Sequence, residues 1–221
     1  MIKTPARVQA LSPFNTPEIS DALDACGVEG ALLHIKPLIL GKKLIGPAYT
    51  VQYKSYTNAC ENFRSASDYI DNVPTASVIV IDNDSRVDCT VWGGILTQAA
   101  RLKGISGTIV NGAVRDAHQI QDAHYPVFCL DQYMRSGKNR VYKSQEQCPL
   151  MINGVTIYPG DIIFADDHGV LVIPIQRLDD IIDKAQNIQS TEKKITTALQ
   201  AGERLDHARA KYRYDQPWLK S

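Results

Sequence analysis

Apolar and polar positions along the chain switch repeatedly between a period near 3.6 and a period of 2. Thr16-Pro17-Glu18 predicts a helix start, with a hydroxyl N-cap at Thr16, proline in the first turn and an acid at the positive end of the dipole. Ile19, Ala22 and Leu23 continue at helical spacing, and Gly27 ends the helix. Ile45 to Tyr53 alternates as a strand does, and Asn62 to Ile70 reads as a short helix. Ser77 to Asp82 is a continuous apolar run ending in acids, the mark of a buried strand. Thr90 to Lys103 reads as a helix closed by Gly104, after an acid-rich loop that follows Ile81. Gly107 to Val110 is a second buried strand, Ala117 to Ala123 a short helix, and Pro126 to Leu130 a third strand. Strands alternating with helices in this order predict an α/β core with parallel crossovers.

The pattern then changes. Gln132 to Lys143 carries Arg135, Lys138, Arg140 and Lys143 and reads as a solvated loop rather than an anion site. Ile152 to Ile157 predicts a hairpin arm around Asn153-Gly154, and Tyr158 to Asp161 a further turn. Ile162 to Pro174 reads as two strands around the acidic turn Asp166-Asp167-His168. Leu178 to about Gly202 is a helix with Ile181, Ile182, Ala185, Ile188, Ile195 and Leu199 on its apolar side, and Arg204 to Ser221 is a polar, aromatic tail.

Composition narrows the function classes. Among 221 residues, 24 Lys and Arg balance 24 Asp and Glu, so a general nucleic-acid binder, which carries a basic excess, is not expected. No apolar run reaches the roughly 20 residues of a membrane span. Met1 to Pro5 lacks the apolar stretch of a signal peptide, so a cytoplasmic location is the default. Cys26, Cys60, Cys89, Cys129 and Cys148 include no C-x-x-C pair and read as reduced, packed thiols. The glycine-rich nucleotide loop, the P-loop, the serine-hydrolase elbow and the H-E-x-x-H metal motif are all absent.

The chemistry concentrates in Asn111-Gly112-Ala113-Val114-Arg115-Asp116, which follows the apolar run ending at Val110. Core packing asks for neither charge. An arginine fork grips a carboxylate or an enolate, and a carboxylate beside it suits a hard divalent cation. A structural ion pair at a strand end is the other reading of the residues alone. Trp92-Gly93-Gly94-Ile95-Leu96 opens the preceding helix, where glycines leave backbone N–H groups free to face an anion. Adjacent parallel strands bring their carboxyl ends together, where open α/β sheets bind ligands.

These two runs, with Ala99-Ala100, Gly104-Ile105-Ser106-Gly107 and Tyr125-Pro126-Val127-Phe128 between and after them, resemble the RraA-like family. Ser20-Asp21-Ala22-Leu23, Gly46-Pro47-Ala48, Pro159-Gly160-Asp161 and Asp166-Asp167-His168-Gly169-Val170 extend the likeness over about residues 16–205. The family includes 4-hydroxy-4-methyl-2-oxoglutarate (4-carboxy-4-hydroxy-2-oxoadipate) aldolases and the regulator of ribonuclease activity A. The resemblance implies one domain over residues 1–221, a compact α/β sandwich of the swivelling phosphohistidine-domain type. It also implies a homotrimer or homohexamer with the site between subunits.

The implied chemistry is a class II aldol cleavage of a 2-oxo acid that releases pyruvate, with oxaloacetate decarboxylation through the same pyruvate enolate. The implied cofactor is Mg²⁺ or Mn²⁺. Arg115 would bind the substrate carboxylate or keto oxygen, and Asp116 would ligate the metal. Gly93, Gly94, Ile95 and Leu96 would hold the pyruvyl carboxylate through backbone amides. Glu29 and Glu192 correspond to acids that a neighbouring subunit supplies. Aldolases of the family carry an acid at the position of Gly94, often aspartate at Asn111 and commonly an acid at Gln119; Asp84 or Asp88 could supply the missing acid. His118 and His124 read as surface residues, and Asp166 to His168 as a hairpin turn. A protein-binding regulator is the alternative function, and the acid after Arg115 favours the enzyme.

Overall fold

The structure, a computed structural model, describes residues 6–56 and 67–215. Met1 to Pro5, Cys60, the helix expected from Asn62 up to residue 66, and the tail from residue 216 lie outside the described residues. In chain order the elements are α1 (Ala6–Gln9), α2 (Thr16–Ala25), β1 (Ala31–Leu32), β2 (Lys36–Pro37), β3 (Leu44–Ser55), a 3₁₀ turn (Asp68–Asn72), β4 (Val78–Trp92), α3 (Gly94–Leu102), β5 (Gly107–Val114), α4 (Ala117–Asp122), β6 (Val127–Gln132), β7 (Val141–Glu146), β8 (Leu150–Ile152), β9 (Val155–Ile157), β10 (Ile162–Asp166), β11 (Gly169–Ile173), a 3₁₀ turn (Ile175–Arg177), α5 (Leu178–Gln200) and α6 (Leu205–Lys211).

The fold is α/β, built on a large mixed sheet. Its strand order is β1-β11-β10-β3-β4-β5-β6-β2, with β7 also on β3, while β8 and β9 form a separate hairpin. The parallel core is β3-β4-β5-β6. β3 is long enough to serve two neighbours in turn: Leu44 to Pro47 pair with β10, and Ala48 to Gln52 pair with β4.

The apolar run of β4 makes sense in this setting, because side chains alternate across a strand and both faces are covered. Ile79 and Ile81 pack on one side with Trp92, Ala100 and Ile120 from the α3 and α4 region. Val78 and Val80 pack on the other with Phe128, Ile163 and the β8–β9 hairpin. A third cluster seats Ile19 and Leu23 of α2 and Ile181 of α5 on Phe164 and Leu171. Each such side chain contributes about 1.5–3 kcal/mol by leaving water.

Several expectations need correction. Asn15, not Thr16, caps α2: its side chain accepts from the Glu18 N–H at 2.9 Å while Glu18 accepts from the Asn15 N–H at 2.8 Å. Thr16 instead gives its N–H and hydroxyl to Asp166. The segment after Ile81 is not simply a loop before a helix. β4 breaks register after Asp82, turns through left-handed Asp84 and Ser85, and pairs again with β5 at Arg86, Thr90 and Trp92 with a register shift at each step. Helix α3 therefore starts at Gly94, because Thr90-Val91-Trp92 is β-branched and aromatic and finds a strand partner. β5 likewise runs on to Val114, and β7 takes up the end of the stretch expected as loop. Part of the tail forms α6, and Leu199 is 40% exposed rather than on the buried side of α5.

Candidate functional site

The carboxyl ends of β4 and β5 lie side by side, and their last residues build the site. The Arg115 N–H donates to the Trp92 carbonyl at 3.0 Å, which fastens the exit of β5 to the exit of β4. Asp116 then turns left-handed, φ 59° and ψ 40°, at the N-cap of α4. That conformation costs an L-residue roughly 1–2 kcal/mol. It places the carboxylate over the start of α3, where Asp116 Oδ2 accepts from the Gly94 N–H at 2.9 Å. Arg115 Nε lies 3.6 Å from the same oxygen, with the two side chains 38% and 34% exposed.

The start of α3 is held from below. Trp92 Nε1 donates to the Thr97 hydroxyl at 2.9 Å, and that hydroxyl donates to the Gly93 carbonyl at 3.0 Å. The Trp92 ring stacks on Tyr125 with centroids 6.1 Å apart. A Cβ on Gly93 would stand 2.7 Å from Asp116 Oδ2 and 3.1 Å from Arg115 Cγ, so only glycine lets the carboxylate approach this closely. A Cβ on Gly94 would fall onto the Gln119 amide. Ile95 and Leu96 sit in the first turn of α3, where N–H groups have no carbonyl a turn earlier in the helix.

A third wall comes from the segment before β7. Ser136, Gly137 and Lys138 face Arg115 and Asp116 across a cleft of about 210 Å³, with Tyr53 and Val141 also bordering it. That is below the roughly 300–1,000 Å³ of sites for drug-sized ligands and suits a small acid. Burial pushes the Tyr53 hydroxyl above its usual pKa, so it stays a neutral phenol.

The structure thus brings together Gly93, Gly94, Ile95, Leu96, Arg115 and Asp116. It sets Glu29 and Glu192 elsewhere in the same chain. Glu29 is exposed between α2 and β1, and Glu192 on α5 accepts from the Tyr214 hydroxyl at 3.2 Å. Asp84 and Asp88 do not border the cleft either, and Asp88 is engaged by Arg86 at 2.9 and 2.7 Å. Asn111 is buried below the site, donating to Asp82 at 2.8 Å. His118 and His124 are exposed, and Asp166 to His168 is the β10–β11 turn. Sequence reasoning missed the third wall; its one local signal is a glycine set between Ser136 and Lys138.

Among the described residues no three His, Cys, Asp or Glu side chains gather as a closed metal cage. The oxygen donors at hand are the Asp116 carboxylate and the Gln119 amide, both against the Gly93-Gly94 backbone. This set fits an ion such as Mg²⁺, which keeps several waters and takes one or two carboxylates.

Comparison with known proteins adds a family. The model of the RraA-like family, described as Aldolase/RraA, matches residues 16–172. Protein DlpA of Legionella pneumophila is 58% identical over 215 residues, 97% of this chain and 35% of that protein. The chain spans about a third of that relative's length. A Halalkalibacterium halodurans protein, provisionally named 4-hydroxy-4-methyl-2-oxoglutarate aldolase, is 33% identical over 79% of this chain and 80% of its own. The crystal structure of an uncharacterized Pseudomonas syringae pv. tomato protein superposes with a TM-score of 0.85 at 37% identity, covering 92% of this chain and 96% of that one.

Proposed function

Because this chain belongs to the RraA-like family, we propose that its cleft is the active site of a lyase. It would cleave 4-hydroxy-4-methyl-2-oxoglutarate-type 2-oxo acids to pyruvate and decarboxylate oxaloacetate. The observation that carries this reading is the convergence of Arg115 and Asp116 on the first turn of α3. A packed core has no use for that arrangement, and a small 2-oxo acid does.

The residues divide the work. The N–H groups of Ile95 and Leu96 are positioned to hold the substrate carboxylate at the positive end of the α3 dipole. Arg115 binds the carboxylate or keto oxygen and offsets the negative charge that develops as the C–C bond breaks. Asp116 and the Gln119 amide would hold Mg²⁺ or Mn²⁺. When bound, that ion supplies further charge stabilisation at the same oxygen. The Gly94 N–H fixes Asp116 Oδ2. Glu29 and Glu192 are proposed to reach the cleft from neighbouring copies in a homotrimer or homohexamer, where an acid group would take the proton of the substrate hydroxyl.

The test is a coupled pyruvate assay across a panel of 2-oxo acids, run with Mg²⁺ or Mn²⁺ and then with a chelator. We expect pyruvate release that the chelator abolishes. Arg115→Ala and Asp116→Ala should each lower kcat by about 100-fold to 1,000-fold, the scale of losing one preorganised charge-stabilising contact. A panel that yields no metal-dependent pyruvate sinks the reading.

A further inference from the structure

A second cavity lies where the chain passes from one end of the sheet to the other. β1 pairs with β11 at one end of the strand order and β2 with β6 at the other, and His34 lies between them in the left-handed region, φ 66°. The chain here, the start of α2 and the β10–β11 turn enclose about 280 Å³. This cavity shares no lining residue with the cleft of Arg115 and Asp116.

Its polar lining is basic. His34, Lys36 and His168 border it with the Ser20 hydroxyl, and among the described residues no carboxylate does. The nearest acids in sequence are spent on other partners. Asp166 accepts from the Thr16 N–H and hydroxyl and from the His168 N–H at 3.0 Å. Asp167 accepts from the Gly41 N–H at 2.7 Å. Lys36 Nζ donates to the His168 carbonyl at 2.7 Å, which anchors the ammonium at the cavity and leaves it two further N–H donors and an unmatched charge. Among the described residues neither the His34 ring nor the Ser20 hydroxyl has a hydrogen-bond partner. The rest of the wall is largely apolar: Pro17, Leu32, Leu33 and Val170 border the same space, and Leu33 is 59% exposed.

The two halves of this lining ask for different parts of one ligand. Lys36 is the single ammonium at the cavity, so it matches a monoanion, and the imidazole of His34 adds a neutral-capable donor beside it. The apolar wall asks for a carbon skeleton, which an inorganic anion lacks. We propose that this cavity is a binding site for a small organic monocarboxylate, with its carboxylate on Lys36 and His34 and its apolar body against Pro17 and Leu33. The site stands apart from the lyase reading, because none of its residues takes part in that chemistry.

Calorimetry with benzoate as the probe tests it, against benzyl alcohol as the uncharged analogue and sulfate as the inorganic anion. The titrations use the wild type and Arg115→Ala, which lacks the arginine of the first cleft. Benzoate should bind Arg115→Ala and exceed benzyl alcohol and sulfate about tenfold in affinity, the scale of one hydrogen bond between charged partners. Lys36→Met in the Arg115→Ala background should abolish the preference over the alcohol, and Lys36→Arg should restore most of it. Leu33→Glu, at an exposed position, places a carboxylate at the cavity and should remove benzoate binding while circular dichroism stays that of the wild type; this variant decides the matter if Lys36→Met does not fold. Loss of benzoate binding in Arg115→Ala overturns the proposal, since the probe would then occupy the first cleft alone. Equal affinity for benzoate and sulfate, or a preference that survives both Lys36→Met and Leu33→Glu, overturns it as well.

Discussion

The Gln119 amide fills the space that a Cβ on Gly94 would take, and this makes two neighbouring glycines respond in opposite ways to the same change. Alanine normally favours a helix over glycine by about 0.5–1 kcal/mol. At Gly94 the added methyl lands on the Gln119 amide, the far end of a flexible side chain that can swing away. Gly94→Ala should therefore leave the melting temperature nearly unchanged while it expels Gln119 from beside Asp116. Gly94→Ala and Gln119→Ala should then lower divalent-metal affinity to the same degree, and the double variant no further. Calorimetry with Mg²⁺ on the three variants forms the cycle that checks this. At Gly93 the methyl meets the Asp116 carboxylate and the Arg115 stem, neither of which can leave without undoing the site. Gly93→Ala should cost roughly 1–3 kcal/mol in denaturant unfolding, the scale of overpacking. Cys129 gives a further residue-scale check. Burial pushes its thiol pKa up to about 12. It should resist thiol reagents in the native protein and react only after unfolding.

Asp166 is one side chain that joins two elements. It ends β10, yet it accepts from the Thr16 N–H at 2.8 Å and the Thr16 hydroxyl at 2.5 Å, while His168 Nδ1 lies 3.2 Å away. Burial raises its pKa, but the hydrogen bonds from Thr16 and His168 outweigh burial and hold it below the usual carboxylate range. A depressed folded-state pKa adds stability above the ordinary value near about 4, and that stability is lost as pH falls through the depressed value. Asp166→Asn should lose about 1–3 kcal/mol at neutral pH, with the gap to wild type closing in acid. Urea unfolding at several pH values would show it, and a constant gap would speak against the linkage. This tie also marks what sequence could and could not disclose. Elements with a strong local period, such as the β4 apolar run, α5 and the Asn153-Gly154 hairpin, were legible because local chemistry and tertiary burial agree. The N-cap was misplaced by one residue because Thr16 serves Asp166, about 150 positions away in sequence. The excursion in β4 was hidden because only pairing with Ala113 and Val114 reveals Thr90 to Trp92 as strand.

On the scale of the whole molecule, the same division governs the cleft. Two walls come from short runs, 92–96 and 111–116, whose glycines and paired charges stand out against a packed core. The third comes from a segment whose role exists only because Gly137 docks on Thr90. Helix α3 presents its outer face beside this cleft, and there Ile95 is 84% and Leu102 88% exposed. They lie seven residues apart, nearly two turns, so they share a face. Scattered exposed apolar residues need no account. Two aligned on the helix that begins at the site fit the proposed assembly, in which a neighbouring copy completes the cleft. Ile95→Lys with Leu102→Lys would then set like charges in an apolar contact. The double variant should keep its circular dichroism, because neither side chain is buried in the single chain. In light scattering its mass should fall toward that of one 24.5 kDa chain. Pyruvate release should fall with it, since Glu29 and Glu192 would no longer be delivered by a partner. Unchanged mass together with unchanged turnover would show that the cleft acts without help from this face.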